Sequence, residues 1–507
     1  MAFVSTSFAV LAVAFAPNLV PAPVSLTVAT NVPVRLDAAQ TVSVACGAES
    51  EAAAKWARAH LAAWLGVAKG EDGRPNIPKV SVSPLSDPVE GGDEAYELDA
   101  RPKGIQVRAN TLQGVRYALY TLRQTVYAEP RTGRRVGWHV MPAMKVKDSP
   151  KLAFRGIHIP WTLNQTPQEI EKRLRVAAFL KYNVAVIEPW GTYRSAVHPW
   201  WGWEEGTMTP QDVRHLAEVG KDLGIMIVPQ FPAFGHATMS ICSTGKHAAL
   251  DAHPEYQTLF EGLNGWNWCL SNPEVLKVQF EIIDEMLEAF GHPKYFHIGC
   301  DEAVKPNCPE CLASDYRQLV INHILSLYRG LKERGVQTML WHDMFLKHRD
   351  PRWKGFYANG TDETVKAFES FPRDIIVCDW YYEKAREDGR YPTLEHFKEM
   401  GFPVLTSPGY EISGTEIQCR RAIELGLLGT LQTTWKRGSG KEIGRYMAGM
   451  YAGGAAAAWG SKYTINPLTK WKYDFDYVKI VRFAVWDMGL KAYADTGIHS
   501  DKNPPAR

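Results

Sequence analysis

Two acids stand side by side in His297-Ile298-Gly299-Cys300-Asp301-Glu302-Ala303. Carboxylates this close cannot both ionise easily in a partly dry site, so one tends to keep its proton while its neighbour carries the charge. Such a pair supplies a general acid and an anion together. Taken alone, an Asp-Glu dipeptide is more often a solvated cap on the next helix, and a strand-end position next to glycine raises the odds of a functional role. A few residues on, Cys308-Pro309-Glu310-Cys311 has the spacing of a zinc knuckle if two further ligands come from elsewhere. His247 and Cys269 lie in one loop that should run beside it, and the set His247, Cys269, Cys308 and Cys311 would make a closed structural zinc site. A disulfide within or between these loops, or free buried thiols, fits the same spacing.

Positioning these residues falls to a strand-helix alternation that begins after Pro150. Candidate strands are Phe154 to Ile159, Asn183 to Glu188, Ile225 to Phe231, Tyr295 to Gly299, Gln337 to Trp341, Asp374 to Asp379, Pro403 to Ser407 and Leu428 to Thr433. Helices between them carry start signals: Thr166-Pro167-Gln168-Glu169 is a capping box with proline at the first helical position, and Asn272-Pro273 opens another helix. The eight units predict an α/β fold, a (β/α)8 TIM barrel with C-terminal helices over residues 151–507. Its reactive groups belong at the C-terminal strand ends. That rule puts Asp301 and Glu302 at the mouth, after the fourth strand. Trp341, Trp380 and Trp435 fall at or near the ends of the fifth, sixth and eighth strands. One tryptophan in a barrel is ordinarily core; three at strand ends favour a platform for a sugar.

Residues 17–150 predict a small α+β domain without catalytic groups. Ser50 to Leu65 is an amphipathic helix with Ala57, Leu61, Trp64 and Leu65 on one face and Gly66 placed to end it. Glu94 to Ala100 and Ile105 to Ala109 read as strands around Arg101-Pro102-Lys103-Gly104, followed by a helix with Val115, Ala118, Leu119, Leu122 and Val126 on one face. Residues 1–16 are apolar, too short to span a bilayer, and read as a signal peptide, so the expectation is a protein exported to the periplasm or outside the cell, with no membrane association once the signal is removed.

Composition narrows the partner. The 507 residues are 45% hydrophobic, which excludes a disordered chain. With 57 Lys+Arg against 55 Asp+Glu, there is no electrostatic footprint for nucleic acid or an anionic membrane. Eight cysteines are too sparse for a disulfide scaffold. The partner expected is a small or neutral molecule.

The HIGCDEA segment resembles the HxGGDE signature of the family 20 glycoside hydrolases, the β-N-acetylhexosaminidases. Phe154-Arg155-Gly156, Lys181-Tyr182-Asn183 and Gly224 to Ala237 resemble the leads into that family's first three strands. Asn18 to Pro23 and the elements around residues 94 to 126 are similar to its leading domain. The resemblance implies a retaining exo-glycosidase acting on a glycan with terminal N-acetylglucosamine or N-acetylgalactosamine. Glu302 would be the general acid and then the base. Asp301 would hold the substrate's 2-acetamido group, whose oxygen attacks C1 to give an oxazolinium intermediate. No cofactor is required for that chemistry. By the same resemblance Arg155 would bind sugar hydroxyls, and His236 would bind a hydroxyl or support the acids. Trp341, Trp380 and Trp435 would wall the acetamido group, Tyr381 or Tyr382 would bond its carbonyl, and Asp343 would contact a hydroxyl or the tyrosine network.

Departures from the family pattern bear on specificity. Cys300 stands where the signature has its second glycine. Val186-Ile187-Glu188-Pro189-Trp190-Gly191 replaces a family His and Asp, so Glu188 is expected to take over part of the hydroxyl recognition. The loop His198-Pro199-Trp200-Trp201-Gly202-Trp203 either lines the mouth or packs over the rim. A non-catalytic glycan-binding barrel, and a glycosidase for a sugar lacking the acetamido group, are the alternatives.

Overall fold

The computed structural model describes residues 19–65, 77–128, 139–163, 165–203, 208–238, 249–383, 388–409, 411–435 and 445–461. The expected signal peptide and Gly66 lie outside these residues. The chain divides into two compact units, Met1–Pro150 and Lys151–Arg507. Among the described residues no helix is long and apolar enough to cross a membrane.

The first unit is a seven-stranded mixed sheet with helices Ser50–Leu65 and Leu112–Thr125. The first helix buries Ala57, Leu61, Trp64 and Leu65, the stripe read from its sequence, together with Trp56 and His60. The expected strand-turn-strand is present as Tyr96–Arg101 paired antiparallel with Gly104–Ala109.

The second unit is the barrel. Its strands are β1 (Phe154–Trp161), β2 (Val184–Pro189), β3 (Met226–Pro229), β4 (Tyr295–His297), β5 (Gln337–Trp341), β6 (Ile376–Tyr381), β7 (Val404–Pro408) and β8 (Gly429–Gln432). Neighbours pair in parallel in the order β3-β2-β1-β8-β7-β6-β5-β4, and a parallel bridge between Gln230 and His297 brings the two ends of that order together. Every residue of β1, β2, β6, β7 and β8 is buried, as expected of parallel strands with helices outside and a packed interior. The interior holds Phe154, Val184, Val186, Val228, Met339, Ile376, Cys378, Leu405 and Leu431. These positions recur every second residue along β2 and β6, and that period decides which side chains face the interior.

Local signals set the helix starts. Helix Pro167–Phe179 begins at Thr166, whose hydroxyl accepts from Glu169 N–H at 3.3 Å while the Glu169 carboxylate accepts from Thr166 N–H at 2.6 Å. Helix Pro210–Leu223 repeats the device with Thr209 and Asp212, and Gly224 ends it in the left-handed region at φ 77°. Thr166→Ala should cost about 1 kcal/mol of stability, a typical loss for an N-cap hydroxyl. Chemical denaturation should show it as a lower midpoint with an unchanged slope.

Candidate active site

Beyond His297 the chain leaves β4 through three residues in the left-handed region, Gly299 (φ 67°), Cys300 (φ 79°) and Glu302 (φ 47°). Outside glycine this backbone costs of order 1–3 kcal/mol per residue and persists only where the surroundings impose it. The surroundings here are specific. Gly235, in the loop after β3, has no Cβ; one placed there would lie 2.3 Å from the Asp301 carbonyl oxygen. The Trp266 indole donates to the Glu302 carbonyl at 2.7 Å, and Asn267 exchanges two hydrogen bonds with the backbone of Val304 at 2.7 and 3.1 Å. Cys300 is fully buried, as the replacement of a signature glycine requires.

His236, itself left-handed at φ 57°, places Nε2 3.3 Å from Asp301 Oδ2 and 3.3 Å from Glu302 Oε2. The imidazole packs on Trp266 with ring centroids 4.2 Å apart. The two acids differ in environment: the Asp301 side chain is 10% exposed and that of Glu302 is 50% exposed.

Asp343, just past β5, is fully buried and gathers three donors: Glu302 N–H at 3.0 Å, Asn359 Nδ2 at 2.9 Å and Trp380 Nε1 at 3.2 Å. Burial and then the charge of Asp301 raise its pKa; nearby His342 and the donors act the other way. Trp380 stacks on Tyr357 and Tyr382, at 4.0 and 5.1 Å. Tyr382 in turn accepts from the indole of Trp435, whose ring lies 4.3 Å from His158. An aromatic arc therefore runs from the Asp343 anchor to β8, beside the acids.

Comparison with known proteins gives the family and the fold. Residues 16–149 match the model of glycosyl hydrolase family 20, domain 2, and residues 144–409 match that of the family 20 catalytic domain. The chain belongs to glycosyl hydrolase family 20. A Porphyromonas gingivalis protein named β-hexosaminidase is 22% identical over 316 residues, 56% of this chain and 40% of that relative, so the chain spans about two fifths of its length. Two solved structures share the fold. The Flavobacterium johnsoniae chitobiase is 18% identical, covers 96% of this chain and 76% of its own, and has a TM-score of 0.66. The Bacteroides fragilis β-N-acetylhexosaminidase is 19% identical, with 89% and 92% covered and a TM-score of 0.64.

Within this family 20 barrel, the other expected residues have the following surroundings. Arg155 is not at the mouth. It is the second residue of β1, out of phase with inward-facing Phe154, and it donates to the carbonyls of Lys181, Leu152 and Ala153 at 3.1, 2.8 and 3.2 Å with its guanidinium over Trp459. Glu188 follows Val184 and Val186 in the inward phase and is fully buried 3.1 Å from His158 Nε2. Trp341, in phase with Met339, is also fully buried, packed on His297 at 4.4 Å and Trp435 at 5.8 Å; it supports the aromatic arc from beneath. Tyr381 is out of phase with Trp380 and packs on Phe356 and Tyr391, which leaves Tyr382 as the tyrosine beside the arc. His247 lies outside the described residues. Cys269, Cys308 and Cys311 are brought together as free thiols, joined by Glu261, which the sequence reading did not select.

The tryptophan loop packs on the rim: Trp201 is fully buried at 5.1 Å from Phe231, and Trp200 stacks on Tyr256. Sequence reasoning also passed over His158, Trp266, Tyr357 and Asn359. For His158 a signal existed, its place in the inward phase of β1. The others sit in loops, where no period marks them.

Behind Trp380, His342 Nε2 lies 3.5 Å from Asp379 Oδ1, both buried. Burial raises the Asp379 pKa to about 7 and lowers that of His342 to about 4. A raised carboxyl pKa contributes stability that is full below the ordinary carboxylate range and is lost as pH rises through 7; the lowered imidazole contributes above its ordinary value and loses it as pH falls toward 4. Asp379→Asn should therefore remove an alkaline loss worth about 1.4 kcal/mol per pH unit between roughly pH 5 and 7. Denaturant titrations of both proteins at those two pH values should show a smaller drop in the variant.

Proposed function

We propose that this family 20 chain is a retaining exo-β-N-acetylhexosaminidase, releasing terminal N-acetylglucosamine or N-acetylgalactosamine with the help of the substrate's own acetamido group. The observation that carries the reading is the unlike setting of two adjacent acids beside one imidazole, with Asp301 buried and Glu302 half-exposed. The buried anion suits a fixed partner on the sugar, and the acid open to solvent suits proton exchange with a leaving group and with water. In the first step the acetamido oxygen bonds to C1 while the glycosidic bond breaks. The Glu302 proton goes to the departing oxygen, and Asp301 accepts a hydrogen bond from the acetamido N–H. In the second step water gives a proton to Glu302, bonds to C1 and reopens the ring, so configuration is retained. This is the substrate-assisted route, in which no carboxylate attacks C1. Neither step calls on a cofactor. Trp380, Tyr382 and Trp435 offer ring faces for the apolar side of the sugar. Support also comes from curated relatives named β-hexosaminidase, which share 21–24% identity.

Kinetics with aryl and oligosaccharide N-acetyl-β-hexosaminides test the division of labour. Glu302→Gln should lose about 10²–10⁴-fold on a sugar leaving group and far less on an aryl group that needs no proton. Asp301→Asn should lose rate on both. Plain β-hexosides should be left intact by the parent enzyme. Failure to release either acetamido sugar between about pH 4 and 8, where a carboxylic acid can serve as general acid, would sink the reading. Equal cleavage of plain hexosides would shift it to a glycosidase indifferent to the acetamido group.

A further inference from the structure

The thiols of Cys269, Cys308 and Cys311 and the carboxylate of Glu261 each place one ligand atom within 4.8 Å of all the others. Cys269 Sγ lies 3.7 Å from Cys308 Sγ and 3.9 Å from Cys311 Sγ, and Cys308 Sγ lies 3.2 Å from Glu261 Oε1. Zinc–sulfur bonds of about 2.3 Å in a tetrahedron put their sulfurs about 3.8 Å apart, whereas a disulfide needs about 2.05 Å. The sulfurs are spaced for an ion between them. We propose that Glu261, Cys269, Cys308 and Cys311 bind one structural zinc ion, with Glu261 in the fourth place that spacing alone would give to His247.

The surrounding bonds suit that ion. Ser271 Oγ is 3.3 Å from both Cys269 Sγ and Cys311 Sγ, so it accepts from the Cys311 thiol while its single proton can turn to Cys269, and Cys311 N–H donates to Cys308 Sγ at 3.3 Å; donors of this kind stabilise thiolates and orient them on a metal. The second oxygen of Glu261 accepts from the N–H groups of Asn307 and Cys308 at 3.0 and 2.8 Å, which fixes the carboxylate and leaves Oε1 turned to the sulfurs. A groove of about 650 Å³ lined by Cys269, Cys308, Ser271 and Asn307 opens beside the cluster and gives the ion a path from solvent. Binding replaces the thiol protons by the metal, so uptake releases protons and strengthens as pH rises.

Placement gives the zinc its job. Cys269 closely follows Trp266 and Asn267, whose side chains hold the backbone of Glu302 and Val304, and Cys308 closely follows Glu302. The ion fastens the far end of the same loop-to-loop junction and so acts as a positioning element for the general acid, outside the reacting atoms. The proposal does not rest on the choice of sugar, because metal content is read without any substrate.

The experiment uses the full chain, purified under reducing conditions without a chelator or a polyhistidine tag. Elemental analysis should return one zinc per chain. Cobalt exchanged into the site should show the visible bands of a tetrahedral ion and a near-ultraviolet thiolate-to-cobalt band. Cys311→Ser and Glu261→Gln should lose the metal, and His247→Ala should keep it. Ser271→Ala, which leaves all four ligands in place, should weaken zinc by roughly 10–100-fold in a chelator competition. Removing zinc from the parent chain should lower kcat more than it changes KM. A reduced chain without stoichiometric zinc and without a cobalt–thiolate band, or a mass two hydrogens light from a disulfide, overturns the site. Loss of metal in His247→Ala overturns the ligand assignment.

Discussion

The buried carboxylate of Asp343 is the interaction on which the mouth of this barrel depends. A charge cut off from water is costly unless every side of it meets a donor. Asp343 meets that condition with a backbone N–H of Glu302, the amide of Asn359 and the indole of Trp380. Its solvation shell is made of groups that also frame the two acids. The backbone of Glu302, one plane of the aromatic arc and the loop after β5 are tied through one carboxylate, so a shift of any of them costs it a donor. The cost of burying it is thereby converted into preorganisation, which a site on separate loops would otherwise lack.

The same logic explains the strained backbone beside the acids. Cys300, Glu302 and His236 all occupy the left-handed region, and they come from two different loops. A single loop would relax. Here the Gly235 contact with the Asp301 carbonyl and the Trp266 and Asn267 hydrogen bonds leave no slack between the loops, and the side chains of both acids are aimed at one imidazole as a result.

Much of this was legible in the sequence. The eight strands fall within a few residues of where hydrophobic runs and turn residues put them, because buried parallel strands leave a strong local mark. The capping box at Thr166 was legible for the same reason. Arg155, Glu188, Trp341 and Tyr381 were singled out through the family resemblance, and the surroundings each one has here follow the phase of its strand. Counting in twos from Phe154, Val184, Met339 and Cys378 turns Arg155 and Tyr381 away from the interior, and turns Glu188 and Trp341 into it, where both are fully buried. Glu261 was invisible for another reason: it meets the cysteines only through folding of the loop after β3, and no sequence spacing encodes that.

The placement of Arg155 has a consequence of its own. At the end of the barrel away from the acids, its guanidinium and the ammonium of Lys181 both lie over the ring of Trp459, at 5.0 and 4.6 Å, while the Tyr182 hydroxyl donates to the Tyr451 carbonyl on the same helix. Two cations from the opening β-strand region thus wait for an indole some three hundred residues downstream. During synthesis that helix, the last among the described residues, must emerge before its indole can cover these two cations at the base of the barrel.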